Sequence, residues 1–184
     1  GASGAGVLLE IARNLGRQKT NVGIDIILWD MEDYGIGHVE TDEEGSEDDW
    51  ALGSQYWSKN PHKPGYIAKY GILLDMVGGK NTAFPSELNS VYYAGAVKEK
   101  VWNTAASLGY GNYFISRQCE VVDDHLYINK WANIPCIDII GYRAEENKFF
   151  PQHHTLGDDI STIDKNMLKV AGQTVLEVIY NETP

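Results

Sequence analysis

Apolar residues along the chain follow two patterns, a helical spacing and short, nearly unbroken runs. Val7, Leu8, Ile11 and Leu15 recur with helical spacing, which predicts an N-terminal helix that Ser3 caps. The same spacing predicts further helices over about 48–59, 94–108 and 163–180.

The unbroken apolar runs predict buried strands over 24–29, 70–77, 113–119 and 137–140. Because these strands alternate with helices, the connections between them are long enough for the crossovers of a parallel sheet. The expected fold class is therefore α/β, with three α/β/α layers and a mostly parallel, mixed central sheet. No repeat, low-complexity segment or domain boundary interrupts the pattern, so we expect one domain over 1–184.

Composition and charge narrow the classes of partner. The 184 residues are 43% hydrophobic and 22% charged, which is ordinary for a globular protein. A formal net charge of -11 would repel phosphate backbones and anionic membranes, which argues against nucleic acid as a partner. Seven of the ten residues over 40–49 are acidic, which predicts a solvated loop or a segment that steers a cation or a peptide N-terminus.

Two further features exclude alternatives. No apolar stretch approaches the roughly 20 residues that cross a bilayer, so we expect no membrane-spanning segment. Cys119 and Cys136 are predicted to be buried thiols, because they would pair only if their Cα atoms lay within about 7 Å. Neither belongs to a C-x-x-C motif, so zinc-knuckle and thioredoxin readings have no support.

The most informative stretch is I-I-L-W-D-M-E-D-Y-G, where an apolar run stops at Asp30, Glu32 and Asp33. A buried strand that ends this way places its carboxylates at the edge of the sheet where open α/β folds hold their sites. Neighbouring carboxylates need a cation there. Glu32 and Asp33 would point differently, so that one binds a metal while the other moves protons. The alternative is an acidic loop end that is merely solvated.

Three other positions end apolar segments or enter loops: Asp75 in L-L-D-M-V, Asp123-Asp124-His125 in V-V-D-D-H and His153-His154-Thr155 in H-H-T. Since the ends of parallel strands share one edge, these residues are predicted to converge with Glu32 and Asp33. Carboxylate oxygen with imidazole nitrogen is the ligand set of zinc, whereas oxygen ligands alone suit calcium or magnesium. Each residue taken singly has an ordinary alternative, such as a cap or a core histidine.

Read in order, W-D-M-E-D-Y-G, W-A-L-G-S-Q-Y, L-L-D-M-V-G, V-V-D-D-H and H-H-T-L-G-D-D resemble the landmarks of the zinc aminopeptidase and glutaminyl cyclase family. The resemblance implies a zinc-exopeptidase fold. It also implies that Glu32 is the general acid/base, that Asp33 and His154 bind zinc, and that Asp75 binds a second zinc in aminopeptidases. Position 33 departs from the many relatives that carry glutamate there.

The family pattern also extends upstream of Gly1. In the family an aspartate ligand directly precedes G-A-S-G, and an H-x-D segment lies earlier. The resemblance therefore implies a C-terminal portion that lacks N-terminal strands, with an incomplete or empty zinc site. Unpaired edges would then favour self-association or pairing with the missing portion. We expect a periplasmic or secreted location.

Within the family, the chain resembles the glutaminyl-peptide cyclotransferase branch at D-D-H, at F-P-S-E-L-N-S and at D-D-W-A-L-G-S-Q. That branch implies one zinc, a peptide N-terminal glutamine as substrate, and a proton-sharing group of Glu32, Asp75 and Asp123 that releases ammonia and leaves pyroglutamate. The alternative is an aminopeptidase with two zincs that hydrolyses N-terminal residues. A third hypothesis is a non-catalytic scaffold with an incomplete metal site.

Overall fold

A computed structural model describes residues 1–33 and 47–184, so most of the acidic run over 40–49 lies outside the described residues. The helices are α1 (Ala2–Leu15), α2 (Leu52–Lys59), α3 (Leu88–Ser107), α4 (Asp124–Tyr127) and α5 (Lys165–Tyr180). The strands are β1 (Gly71–Asp75), β2 (Phe84–Glu87), β3 (Phe114–Cys119) and β4 (Cys136–Ile140). Short 3-10 turns occupy Glu47–Asp49 and Ile160–Thr162, and a π-helical turn over Ile128–Ala132 follows α4.

The strands pair in parallel, as the alternation of elements predicts. β1 pairs with β4 in a register that runs from Gly71 opposite Cys136 to Asp75 opposite Ile140. β2 pairs with β3, with one irregularity in the register. An antiparallel bridge between Ala83 and Tyr142 sets β2 beside β4, so the four strands lie in the order β1, β4, β2, β3.

Helices cover both faces of these strands. On one face, Val7 of α1, Val101 of α3 and Val170 of α5 pack with Ile137 and Ile139 of β4 in the main core. On the other face, a smaller core joins Cys136 of β4 to the π-helical turn and to the aromatic side chains of Trp29 and Trp57. The predicted three-layer α/β/α architecture is therefore confirmed. Both cysteines are free and buried, also as predicted.

Two predictions about helix starts are wrong. α1 begins at Ala2 with Gly1 in the cap position, and no side chain caps it, so Ser3 does not have the predicted role. α3 begins at Leu88, several residues before the predicted start, because the Glu87 carboxylate accepts hydrogen bonds from the backbone N–H groups of Asn89 and Ser90; the predicted start at Ala94 coincides with a kink inside α3, where φ is -135° and ψ is 33°. A cap of this kind satisfies N–H groups that have no partner inside the helix.

The predicted strand over 24–29 is also wrong. The segment has no strand ladder with any part of the chain that the structure describes. Ile26 and Leu28 are 39% and 65% exposed, so the segment is not buried on both faces. A cleft of about 380 Å³ separates it from β1. An apolar run becomes a strand only when a neighbour receives its backbone hydrogen bonds, and the described residues supply none here.

No helix within residues 1–33 and 47–184 combines the length and the apolar character that crossing a membrane requires.

Candidate active site

The loop that carries the acidic residues is fixed by the start of α2. The backbone N–H groups of Ala51, Leu52 and Gly53 donate to the carbonyl oxygens of Glu32, Met31 and Asp30 at 3.0, 3.1 and 3.2 Å, respectively. The first N–H groups of a helix have no partner within the helix, so they are available for this contact. A Cβ atom at position 53 would lie 2.4 Å from the Asp30 carbonyl oxygen, so the contact requires glycine.

Asp33 and His154 meet at the end of this loop. His154 Nε2 lies 2.8 Å from Asp33 Oδ1. The two side chains are 52% and 65% exposed for His154 and Asp33, which leaves both open to a further ligand. The predicted proximity is therefore observed, whereas the role of the pair as zinc ligands stays a prediction.

The backbone is strained at three points around this pair. Met31, which precedes Glu32, Met76, which follows Asp75, and His154 itself have φ values of 51°, 49° and 57°. Residues other than glycine rarely adopt this left-handed backbone conformation, which costs on the order of 1–3 kcal/mol for each residue. Strain of this kind is common where a backbone must aim functional side chains.

The three predicted catalytic carboxyls, Glu32, Asp75 and Asp123, line the cleft beside β1. Asp75 ends β1, and its Oδ1 lies 3.6 Å from the backbone nitrogen of Gly1. Asp123 is only 5% exposed and caps α4, accepting a 2.6 Å hydrogen bond from the Asp124 N–H. Three of the five residues predicted to converge therefore line one cleft, although the segment that leads to Glu32 is not a strand.

Adjacent carboxyls of the loop differ in their affinity for protons. Burial, with the hydrogen bond and charge of Asp33 and the charge of Asp75, raises the pKa of Glu32 to about 8. Burial would also raise the pKa of Asp33, but hydrogen bonds with Glu32 and His154 outweigh it and lower that pKa. When the surroundings shift the pKa values of two carboxyls in opposite directions, the two carboxyls are suited to different chemical roles.

The other two predicted catalytic carboxyls, Asp75 and Asp123, resemble Glu32. Burial raises the pKa of Asp75, and burial together with the charge of Asp75 raises that of Asp123 well above its usual range. Burial also raises the pKa of Asp124 to about 6. Carboxyls this close together cannot all be ionised near neutral pH, so they hold protons among them.

A buried pair lies behind these residues, and its contact was not predicted from the sequence, although His125 belongs to the V-V-D-D-H motif. His125 Nε2 lies 2.8 Å from Glu87 Oε2, and both side chains are fully buried. Burial would raise the pKa of Glu87, but the hydrogen bond and charge of His125, with backbone N–H groups, lower it to about 2. Asp138 lies fully buried in β4. Its signal in the sequence is an acidic residue within the apolar run C-I-D-I-I, the same kind of signal that identified Asp75.

The donors that converge here suit zinc. Asp33 and His154 offer a carboxylate oxygen and an imidazole nitrogen, two of the three protein ligands that a catalytic zinc needs. Over residues 1–33 and 47–184, no group of three or more His, Cys, Asp or Glu side chains is placed to hold one metal ion together. The chemistry of the pair fits zinc.

Comparison with known proteins gives a consistent picture. The model of peptidase family M28 matches residues 1–179. The chain is 52% identical in sequence to a Bacteroides thetaiotaomicron glutaminyl cyclase, and its fold matches the crystal structure of that protein bound to N-acetylhistamine with a TM-score of 0.94. It is 51% identical to a leucine aminopeptidase precursor from Bacteroides thetaiotaomicron VPI-5482, with a TM-score of 0.92. It is 52% identical to a Zn-dependent exopeptidase from Parabacteroides distasonis ATCC 8503, also with a TM-score of 0.92.

All three matches cover nearly the whole of this chain but only part of each solved chain. They cover 100%, 100% and 99% of this chain, but 62%, 61% and 62% of the three solved chains. The chain therefore spans less than two thirds of each. No curated protein matches it.

Proposed function

The chain belongs to peptidase family M28, and from this premise we propose that the protein carrying it is a zinc-dependent glutaminyl-peptide cyclotransferase. Its substrate would be a peptide with an N-terminal glutamine, and its products pyroglutamate and ammonia. The observation that carries the proposal is that two neighbouring carboxyls have different surroundings. Asp33 is paired with His154, whereas Glu32 lines a cleft together with Asp75 and Asp123.

The reaction is a transfer of protons around one new bond. The α-amine of the substrate attacks its own γ-carboxamide carbon, so a C–N bond forms and the amine must lose a proton. The departing amide nitrogen must gain a proton to leave as ammonia. In our proposal the carboxylate of Glu32 accepts the first proton and, as the acid, donates it to the departing nitrogen. A carboxyl with a pKa near neutrality serves both steps, and that of Glu32 is raised to about 8.

The remaining residues support these steps. Asp33 and His154 would hold the zinc ion, which when bound supplies Lewis acidity toward the carboxamide oxygen. Asp75 and Asp123 would share protons with Glu32, because burial disfavours the ionised form of each. The net charge of -11 would favour approach of a positively charged peptide N-terminus.

Aminopeptidase activity is the second candidate. It is favoured by the 51% identity to a protein named a leucine aminopeptidase precursor. In that reading Asp75 would bind a second zinc, and Glu32 would take a proton from the attacking water. The two activities share Asp33, His154 and Glu32 but differ in the bond that breaks.

Product analysis tests the proposal. The protein carrying this sequence, loaded with zinc, would be incubated separately with a glutamine-initiated peptide and with a leucyl arylamide. The proposal predicts ammonia and a peptide that loses the mass of ammonia but no residue. Release of a free N-terminal residue without pyroglutamate would instead establish the aminopeptidase.

A further inference from the structure

The imidazole of His154 has little hydrogen-bonding support for a histidine that binds a metal. Its Nε2 faces Asp33 Oδ1, which is the only hydrogen-bond contact of the ring within residues 1–33 and 47–184. A metal-binding histidine usually donates its other ring N–H to a carboxylate or a carbonyl oxygen, and that bond fixes the ring plane. The His154 side chain is also half exposed, so close packing on all sides does not orient it.

A neighbouring ring supplies the missing support. The imidazole of His153 is stacked on that of His154, with the two ring centroids 3.8 Å apart and an angle of 22° between the planes. Consecutive side chains of an extended segment point to opposite sides. Here they lie face to face, at a point where His154 has a left-handed φ of 57°. The strained backbone at His154 therefore accompanies the stack.

The stack continues from His153 to the sheet. The ring centroid of Phe149 lies 4.3 Å from that of His153, with 32° between the planes. Phe149 in turn meets Tyr142 edge to face, with the centroids 5.2 Å apart. Tyr142 is buried, and its backbone N–H and C=O exchange two 3.0 Å hydrogen bonds with Ala83, directly before β2. The column of four rings thus joins the half-exposed imidazole of His154 to a fixed part of the fold.

We propose that His153 is a positioning residue, and that its ring, backed by Phe149, holds the plane of the His154 imidazole so that Nε2 is presented to zinc. Contact between two flat rings restricts the ring plane but leaves the ring nitrogens of His154 free. The role therefore requires a flat ring at position 153 and no nitrogen in it. In the proposed function His154 binds zinc, and the inference rests on that assignment.

Two substitutions at position 153 separate the ring from its nitrogens. His153→Phe keeps a flat ring without nitrogen, whereas His153→Leu keeps an apolar side chain without a ring. Zinc affinity would be measured in the protein carrying this sequence, by competition with a chromogenic chelator. We expect His153→Leu to bind zinc roughly 10-fold more weakly or worse, and His153→Phe to bind it as the wild type does. Phe149→Leu should weaken binding in the same direction, because it removes the ring that backs His153.

The control is His62→Leu, which removes a histidine ring from its contacts with Trp57 and Tyr66 and should leave zinc affinity unchanged. Urea unfolding of the metal-free variants checks that each one folds. Should His153→Leu fail to fold, Phe149→Leu decides, and wild-type affinity in that variant overturns the proposal.

Two other results would overturn the proposal. Wild-type affinity in a folded His153→Leu would show that the ring does not orient His154. Equal loss in His153→Phe and His153→Leu would show that His153 acts through a ring nitrogen, as a ligand does. Full zinc content in His154→Ala would instead refute the ligand assignment on which the proposed function depends.

Discussion

The Nε2 atom of His154 lies 2.8 Å from Oδ1 of Asp33, although 121 positions separate the two residues along the chain. The neighbouring carboxyl, Glu32, faces the cleft with Asp75 and Asp123. Adjacent residues in one loop thus serve two environments, one suited to a metal and one suited to proton transfer. The same contrast recurs among the buried residues, where the pKa is lowered for Glu87, which contacts His125, and raised for Asp138.

The first prediction concerns the metal. In the protein carrying this sequence, His154→Ala should lose most of its bound zinc, because it removes the imidazole donor of the pair. His62→Ala is the matched control, since His62 contacts the aromatic rings of Trp57 and Tyr66. Zinc would be counted per chain by elemental analysis. Full zinc content in His154→Ala would remove this residue from the metal site.

The second prediction concerns the placement of the acidic loop. Gly53→Ala would put a Cβ atom 2.4 Å from the Asp30 carbonyl oxygen and must displace the loop that carries Glu32 and Asp33. We expect destabilisation by about 1–3 kcal/mol, measured by urea unfolding, with a marked loss of turnover.

A matched glycine substitution tests whether this effect is specific. A Cβ atom at Gly6 of α1 meets nothing within 4 Å, so Gly6→Ala should stabilise the fold by about 0.4–1 kcal/mol. Similar behaviour of the two variants would show that the contact between α2 and the loop does not position the site.

Much of this arrangement follows from sequence patterns, and the exceptions have physical causes. The long helices and the apolar runs of β1 and β4 were predicted because each buries a regular face. β2 was missed because Pro85 and Ser86 hide its strand character, and α4 because its four residues are too few for a period. The segment over 24–29 was misassigned because strand formation depends on a neighbour that its own sequence does not specify.

Some residues of the candidate site could be predicted from the sequence, and others could not, because their roles depend on contacts across the fold. Glu32, Asp33 and Asp75 stand out because acids interrupt or end apolar runs. Glu87 does not. His125 belongs to the V-V-D-D-H motif, but only the fold brings it to within hydrogen-bond distance of Glu87. Contacts between residues distant in the chain carry that information, and one sequence does not display them.

The third prediction concerns acid stability. The pKa of Glu87 is lowered from 4.5 to about 2, so its ionised form stabilises the fold fully above about pH 4.5, and this contribution is lost as the pH falls toward 2. Glu87→Gln should therefore be less stable by about 3 kcal/mol or more near neutral pH. Its deficit relative to wild type should shrink on acidification toward pH 2.

Urea unfolding across this pH range measures the deficit. Glu99→Gln is the control, because the Glu99 side chain is 65% exposed, although it pairs with the mostly buried Lys98. A Glu87→Gln deficit that stays constant with pH would contradict the assignment of a buried, charged carboxylate.

The fourth prediction concerns the open cleft. β1 pairs on one side only among the described strands, and Leu28 across the cleft is 65% exposed. Unpaired edges of this kind recruit other chains, so we expect the 184-residue chain to self-associate by itself in light scattering. Leu28→Lys should weaken the association, whereas Leu9→Lys, at a residue 70% exposed on α1, should not. A wild-type chain that stays monomeric would contradict this prediction.

The most direct test of the proposed roles of Glu32 and Asp33 substitutes each of these adjacent carboxyls in turn. In the zinc-loaded protein carrying this sequence, Glu32→Gln should keep its zinc yet release ammonia from a glutamine-initiated peptide roughly 100-fold more slowly or worse, because it removes the proton carrier but no ligand. Asp33→Asn should instead lose zinc, and Glu99→Gln should match the wild type. Undiminished ammonia release by zinc-containing Glu32→Gln would contradict the division of roles between Glu32 and Asp33.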